Sequence, residues 1–365
     1  MNVVHIAWLG GQNFGDDLMA DMVWGELRKH DPDLRITVWS HDKPFPREGM
    51  TWIYRNIPRM LLPLGVVRRM AEKRALRHAD MLLIGGGTVL HSLNSIGWKY
   101  DAAKMFKQMH PDRPAIGVCL SAGPFKGEAE KELCGKLFRL LDALALRDRP
   151  SYEFAKTQGL SYEPVEARDL SGAFLKELNM LPRERITEIK KIGMMFNLPK
   201  AIDDVRLTLV YADVLKRLVA GGKDVVLLGA SCPKNNEDGK YIERLIKKSG
   251  MSGRVTSLIY NNDPVSFTKA IRECDYIVSS RLHGLVLGYF LNIPVSFISY
   301  RKKFEDFADS VGIPRAKRFV EATVTTEELY RSIGVYPYKG VEDEVARSYR
   351  NFEVLHPELW KPTPV

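Results

Sequence analysis

Short apolar runs separated by amphipathic stretches recur along this 365-residue chain, and that rhythm constrains its fold more than any other feature. In the first half the runs lie at residues 3–9, 35–40, 81–84, 115–120 and 143–146, with helical patterns between them. Repeated strand, helix and strand build a parallel sheet covered on both faces, so its strands read as continuous hydrophobic runs rather than alternating ones. The second half repeats the pattern, with runs at 192–198, 225–228, 255–259, 276–279 and 295–298. Between the halves, residues 179–191 (NMLPRERITEIKK) are charged and carry a proline. The expectation is therefore an α/β protein of two Rossmann-like doubly wound domains, residues 1–180 and 190–335, followed by a helical tail over 336–365. Two domains of about 150 to 200 residues are the ordinary division of a chain this long.

Composition excludes several classes. With 45% apolar and 27% charged residues the chain is neither disordered nor fibrous. Cys119, Cys134, Cys232 and Cys274 lack CxxC spacing, which argues against a disulfide framework or a structural zinc site and favours a reducing cytosol. The opening MNVVHIAWLGG reads as a strand rather than a secretory leader, and no membrane-spanning helix is expected. The net charge of +9 favours anionic partners. Nucleic acid is the weakest of these, because zinc-finger spacing, an RNP-like signature and a lysine-rich tail are all missing from the sequence.

Small residues gather where the strands end. Gly10-Gly11-Gln12-Asn13-Phe14-Gly15-Asp16-Asp17 follows the first strand and opens a helix over 16–30 that Asp16 or Asp17 can cap. Its spacing is neither GxGxxG nor a Walker A loop. Gly85-Gly86-Gly87-Thr88 and Ser121-Ala122-Gly123-Pro124 follow the third and fourth runs in the same way. Open α/β sheets bind ligands at this edge, where small residues let a ligand approach the backbone.

The most informative stretch is Ser279-Ser280-Arg281-Leu282-His283-Gly284. Here a buried strand gives way to a helix whose positive N-terminal end adds to Arg281, so anions should collect beside an imidazole able to exchange a proton near neutrality. Arg147 and Lys303 stand just past other strands as further candidate cations. Residues 55–77 (RNIPRMLLPLGVVRRMAEKRALR) mix cations with aliphatics around one acid, a composition suited to an anionic membrane surface or to a packed helix with solvated arginines.

These segments together resemble the polysaccharide pyruvyl transferase family: GGQNFGDD, IGGGT at 84–88, LSAGPF at 120–125, ALRDRPSYE at 145–153, and above all the SRLHG core within residues 263–307. The resemblance implies a GT-B-like pair of domains facing a cleft, with phosphoenolpyruvate as donor substrate and a bacterial exopolysaccharide or other cell-surface glycan, free or lipid-linked, as acceptor. It puts His283 at the reacting centre as general acid, with Arg147, Arg281 and Lys303 on the donor's charges. Asn13, Asp16, Asp17, Gly86 and Gly87 fall on the acceptor side. Arg301-Lys302-Lys303 replaces the family's commoner Asp-Pro-Lys, so either Lys302 or Lys303 takes the lysine's role. No metal or organic cofactor is implied, and the expected location is cytoplasmic, peripheral on the membrane's inner face. The competing readings are a sugar-nucleotide-dependent glycosyltransferase of the same architecture and a non-catalytic, membrane-associated subunit of a glycan-assembly complex.

Overall fold

The computed structural model of the chain describes residues 1–10, 12–40, 44–54, 62–86, 89–180, 182–184, 186–196, 204–231, 237–300 and 302–356. Their contacts divide into two compact units, one of residues 1–12, 16–173 and 346 onward, the other of residues 13–15 and 174–345.

From the N-terminus the chain runs β1 (Asn2–Ile6), α1 (Phe14–His30), β2 (Arg35–Ser40), β3 (Met50–Tyr54), α2 (Leu62–His78), β4 (Met81–Gly85), β5 (Val89–Leu90), α3 (Leu93–Met109), β6 (Ala115–Ala122), α4 (Glu128–Phe138), β7 (Ala143–Leu146), α5 (Arg149–Lys156), β8 (Val165–Glu166) and α6 (Ser171–Glu177). The first sheet has the order β3-β2-β1-β4-β6-β7-β8, with β5 beside β6. All its pairings are parallel. The second unit continues with β9 (Lys191–Met195), α7 (Asp204–Ala220), β10 (Asp224–Gly229), α8 (Glu237–Ser249), β11 (Thr256–Ile259), α9 (Pro264–Arg272), β12 (Tyr276–Ser279), α10 (Leu282–Phe290), β13 (Val295–Ser299), α11 (Lys302–Ser310), β14 (Arg318–Val320), α12 (Thr326–Arg331) and α13 (Val341–Tyr349). Its sheet, β11-β10-β9-β12-β13-β14, is likewise parallel throughout.

Each sheet reverses direction once, between β1 and β4 in the first and between β9 and β12 in the second, the doubly wound order expected from the alternating pattern. The central strands are buried on both faces. Leu82, Leu83 and Ile84 of β4 and Ile277 and Val278 of β12 have no exposed surface, each worth about 1.5–3 kcal/mol of burial. The sequence shows less of the sheet edges. Met50, Trp52 and Ile53 of β3 are half-buried and Thr51 is exposed, while β14 is partly solvated, so neither makes a continuous apolar run. The first strand stops at Ile6, short of residue 9, and Trp8 faces solvent.

Of residues 336–365, Tyr336 packs in the second unit, where its hydroxyl donates to Val295 O at 2.9 Å. Residues 346–356 return to the first unit, where the Ser348 hydroxyl donates to Asp169 O at 2.8 Å and Asn351 Nδ2 to Arg168 O at 2.6 Å. Residues 357–365 lie outside the described residues.

Candidate active site

The SRLHG segment lies at the carboxyl edge of the second sheet, beside the reversal between β9 and β12. Ser279 closes the strand on itself. Its hydroxyl accepts from Arg281 N at 3.0 Å and donates to Arg281 O at 2.8 Å, while Ser280 N donates to Met195 O at 2.9 Å. A Cβ on Gly284 would lie 2.3 Å from the Ser279 hydroxyl, so the glycine of SRLHG is required by the serine five residues before it. Arg281 holds the N-cap position with an extended backbone, and α10 begins at Leu282, which puts His283 in the first turn at the positive end of the helix.

Arg281 is not a bare surface cation. Its guanidinium pairs with the buried carboxylate of Asp238 on α8, which also accepts from Ser231 N at 3.0 Å. Burial raises the Asp238 pKa, and Arg281 and the backbone donors oppose that rise without cancelling it. Asp238 is absent from the residues that sequence reasoning selects, because its partner lies 43 positions away.

His283 is half-buried, and its neighbours come from the glycine-rich loop near the start of the chain. Residues 13–15 belong to the second unit by their contacts. Asn13 bridges to Ser231, and Phe14 N donates to Ala230 O at 2.9 Å. The Phe14 ring is fully buried, with ring centroids 5.6 Å from Tyr260, 5.0 Å from Phe267 and 6.3 Å from His283. A Cβ on Gly15 would sit 1.9 Å from both Cε1 and Nδ1 of His283, so only glycine leaves room for the imidazole. The loop therefore has an anchor at Phe14 and a seat for the histidine at Gly15.

This geometry corrects the expected cap. Helix α1 starts at Phe14 rather than at 16, and Asn13 Oδ1 accepts from Gly15 N at 3.4 Å in the capping position. Asp16 and Asp17 are the third and fourth residues of the helix, both buried in its first turn, where a helix N-terminus favours carboxylates.

In the first unit the corresponding edge is built on glycine and one buried histidine. Gly85 (φ +149) would place a Cβ 1.8 Å from Val118 O, and Gly86 (φ +67) donates its N–H to the same carbonyl at 3.1 Å. His5 of β1 lies beneath them. Trp24 Nε1, which can only donate, reaches His5 Nδ1 at 2.9 Å, so the ring's proton sits on Nε2 and faces Gly85 O at 3.3 Å. Burial pulls the His5 pKa down to about 4, against the opposing bond to Gly85. Gly87 and Thr88 lie outside the described residues.

Arg147, just past β7, has a side chain only 8% exposed. It pairs with Asp169 at 3.4 Å, and its Nε donates to the Ser121 hydroxyl at 2.7 Å, which in turn donates to Asp148 at 2.6 Å. Burial opposes its charge, yet Asp169, Cys119, Asp148 and Asp16 outweigh burial and raise its pKa above the ordinary arginine value. Arg147 and Asp16 thus share one electrostatic neighbourhood in the first unit, while Asn13, Arg281 and His283 belong to the second. Lys303 also lies in the second unit, half-buried in the first turn of α11 beside the exposed Lys302. Among the described residues no cluster of three or more His, Cys, Asp or Glu side chains could hold a metal ion, and no helix is long and apolar enough to cross a membrane.

In fold, the chain resembles the UDP-GlcNAc 2-epimerase of Methanocaldococcus jannaschii, with 10% identity, 97% of this chain and 99% of that one covered, and a TM-score of 0.62. The S. aureus MnaA structure with UDP gives 14% identity, coverage of 100% and 98%, and a TM-score of 0.58. The Neisseria meningitidis UDP-GlcNAc 2-epimerase bound to UDP-GlcNAc gives 11%, 98% and 100%, and 0.58. Identities this low establish a shared GT-B-like α/β fold and nothing finer. No curated protein sequence matches the chain. The sequence profile of the polysaccharide pyruvyl transferases matches residues 13–302, a span that takes in the Asn13–Gly15 seat, the Gly85–Gly86 turn, Arg147 and the whole SRLHG segment, and the chain belongs to that family.

Proposed function

We propose that the protein transfers pyruvate from phosphoenolpyruvate onto two hydroxyls of a cell-surface glycan as a ketal, with His283 as the general acid. The observation that carries this reading is the half-buried imidazole at the N-terminus of α10, seated against Gly15 at the carboxyl edge of the second sheet. A proton donor fixed there suits a reaction whose first demand is a proton on carbon.

The donor's methylene carbon takes a proton from His283 and becomes the ketal methyl. Its C2 accepts the oxygen of one sugar hydroxyl, phosphate leaves with the electron pair of its C–O bond, and the second hydroxyl closes the ring. Two hydroxyl protons are released, one restoring the imidazole and the other leaving on phosphate, so the sequence balances without a redox partner. General acid catalysis of this kind contributes about 10²- to 10⁴-fold. Lys303, Arg281 and Arg147 are assigned to offset the donor's carboxylate and phosphate charge, with Asp238 orienting Arg281. The reaction is placed in the cytoplasm, where phosphoenolpyruvate is available, on a lipid-linked precursor of the glycan.

A sugar nucleotide is the competing donor, because related folds have been solved with UDP and UDP-GlcNAc bound. Donor exchange separates the two. With a glycan extract from the host, phosphoenolpyruvate is expected to release inorganic phosphate and leave an acid-labile pyruvyl group on the glycan, detected by mass spectrometry. Release of UDP from a sugar nucleotide, with no phosphate from phosphoenolpyruvate, would overturn the proposal in favour of glycosyl transfer. Absence of turnover with either donor favours the non-catalytic subunit.

A further inference from the structure

Helix α2 packs one face on the first unit, where Leu76 is fully buried, and leaves the opposite face in solvent. Three aliphatic side chains stand on the exposed face: Val66 at 61%, Val67 at 59% and Met70 at 67% exposure. Arg69, Lys73, Arg74 and Arg77 are also exposed. At 3.6 residues per turn these seven positions fall on about one half of the helix. The helix's single acid, Glu72, is half-buried and spent on Arg68 at 3.5 Å, which removes both from that face. The outward surface therefore carries four cations and no carboxylate.

Solvated arginines on a packed helix would account for the charge but not for three adjacent exposed aliphatics. We infer that this face docks on an anionic lipid bilayer. The aliphatics lie in the first half of the face and the last three cations in its second half, so the helix settles tilted, with Val66, Val67 and Met70 below the headgroups and Lys73, Arg74 and Arg77 among the lipid phosphates. A soluble polyanion would engage the cations and gain nothing from the aliphatics. The inference does not rest on the proposed reaction, since a short soluble acceptor needs no bilayer. Residues 55–61 lie outside the described residues.

The test is flotation of the full-length protein with vesicles of phosphatidylcholine alone or mixed with phosphatidylglycerol. The protein is expected to float with the mixed vesicles only. The R69Q/K73Q/R74Q/R77Q variant should lose roughly a hundredfold or more in affinity, since each cation near such a surface contributes about fivefold. The V66S/V67S/M70S variant should lose about tenfold while keeping its cations. Melting temperatures like that of the parent protein show that both variants fold, and donor turnover on a soluble acceptor should be unchanged. As a second readout, M70W should be quenched by brominated phosphatidylcholine in the mixed vesicles. Failure of the parent protein to float, an unquenched M70W, or full binding by V66S/V67S/M70S with competition by dextran sulfate would each overturn the inference, the last by showing a polyanion surface instead.

Discussion

The two sheets reverse direction in the same way, yet their carboxyl edges use histidine in opposite ways. In the first, His5 is sealed beneath the glycine turn, its two nitrogens engaged by Trp24 and Gly85, and its pKa is pulled down to about 4. In the second, His283 stands half-buried at a helix N-terminus, with a glycine cleared to receive it. The first ring contacts a backbone turn, and burial keeps it neutral down to about pH 4. The second is the ring to which the proposed reaction assigns the proton. Residue type alone does not distinguish them; burial, and what the neighbouring backbone leaves open, does.

The sharpest way to break the contrast is to remove the second ring. His283→Ala should lower kcat by roughly 10²- to 10⁴-fold while the apparent affinity for phosphoenolpyruvate stays within a few fold. His5→Phe should leave kcat within a few fold of the parent enzyme when assayed well below its melting temperature. If His283→Ala retains near-normal kcat, the catalytic half of the comparison is lost.

Stability against pH probes the other half. Between pH 6.5 and 4 the unfolded chain protonates His5 while the folded chain does not, so the unfolded state binds more protons and stability falls as pH falls through that window. The difference between 6.5 and about 4 corresponds to about 3 kcal/mol, fully present above pH 6.5 and gone below 4. In His5→Phe the Trp24 N–H and Gly85 carbonyl lose their partner, a cost of about 1–3 kcal/mol each at neutral pH. The gap between parent and variant in urea midpoint should therefore be widest at pH 7 and narrow steadily toward pH 4. A gap independent of pH would mean that His5 titrates normally in the folded state.

Much of this architecture is legible in the sequence because central parallel strands must be apolar on both faces. The runs at 81–84, 115–120, 276–279 and 295–298 mark β4, β6, β12 and β13 to within two residues, the matched starts reflecting how abruptly polarity changes there. Edge strands β3 and β14 are half-solvated and lack that signature. At the candidate site the sequence shows which residues carry charge but not what holds them. Arg147 is engaged by Asp169, and Arg281 by Asp238, through contacts between distant segments that no local pattern encodes. Asp169 does leave a local trace, since its side chain accepts from Ser171 N at 3.0 Å, an Asx-type turn of the kind Asp169-Leu170-Ser171 can form. Gly15 reads as an ordinary turn glycine until the imidazole that fills its missing side chain is in place.

That last residue gives the finest test of the comparison, because it alters the seat of His283 and leaves the ring's chemistry intact. In Gly15→Ala the new methyl would lie 1.9 Å from Nδ1 and Cε1, far inside contact distance, so the ring must turn or α10 must shift. A displacement of about 1 Å at a reacting group can cost up to about 10²-fold, and kcat is expected to fall by roughly tenfold to a hundredfold with a smaller change in the KM for donor. The control is Gly25→Ala in the same helix, where nothing lies within 4 Å of the added Cβ. It should keep full activity and gain about 0.5–1 kcal/mol from improved helix propensity. Equal kcat in the two alanine variants would show that the imidazole does not need this seat, and would leave Gly15 a turn residue like any other.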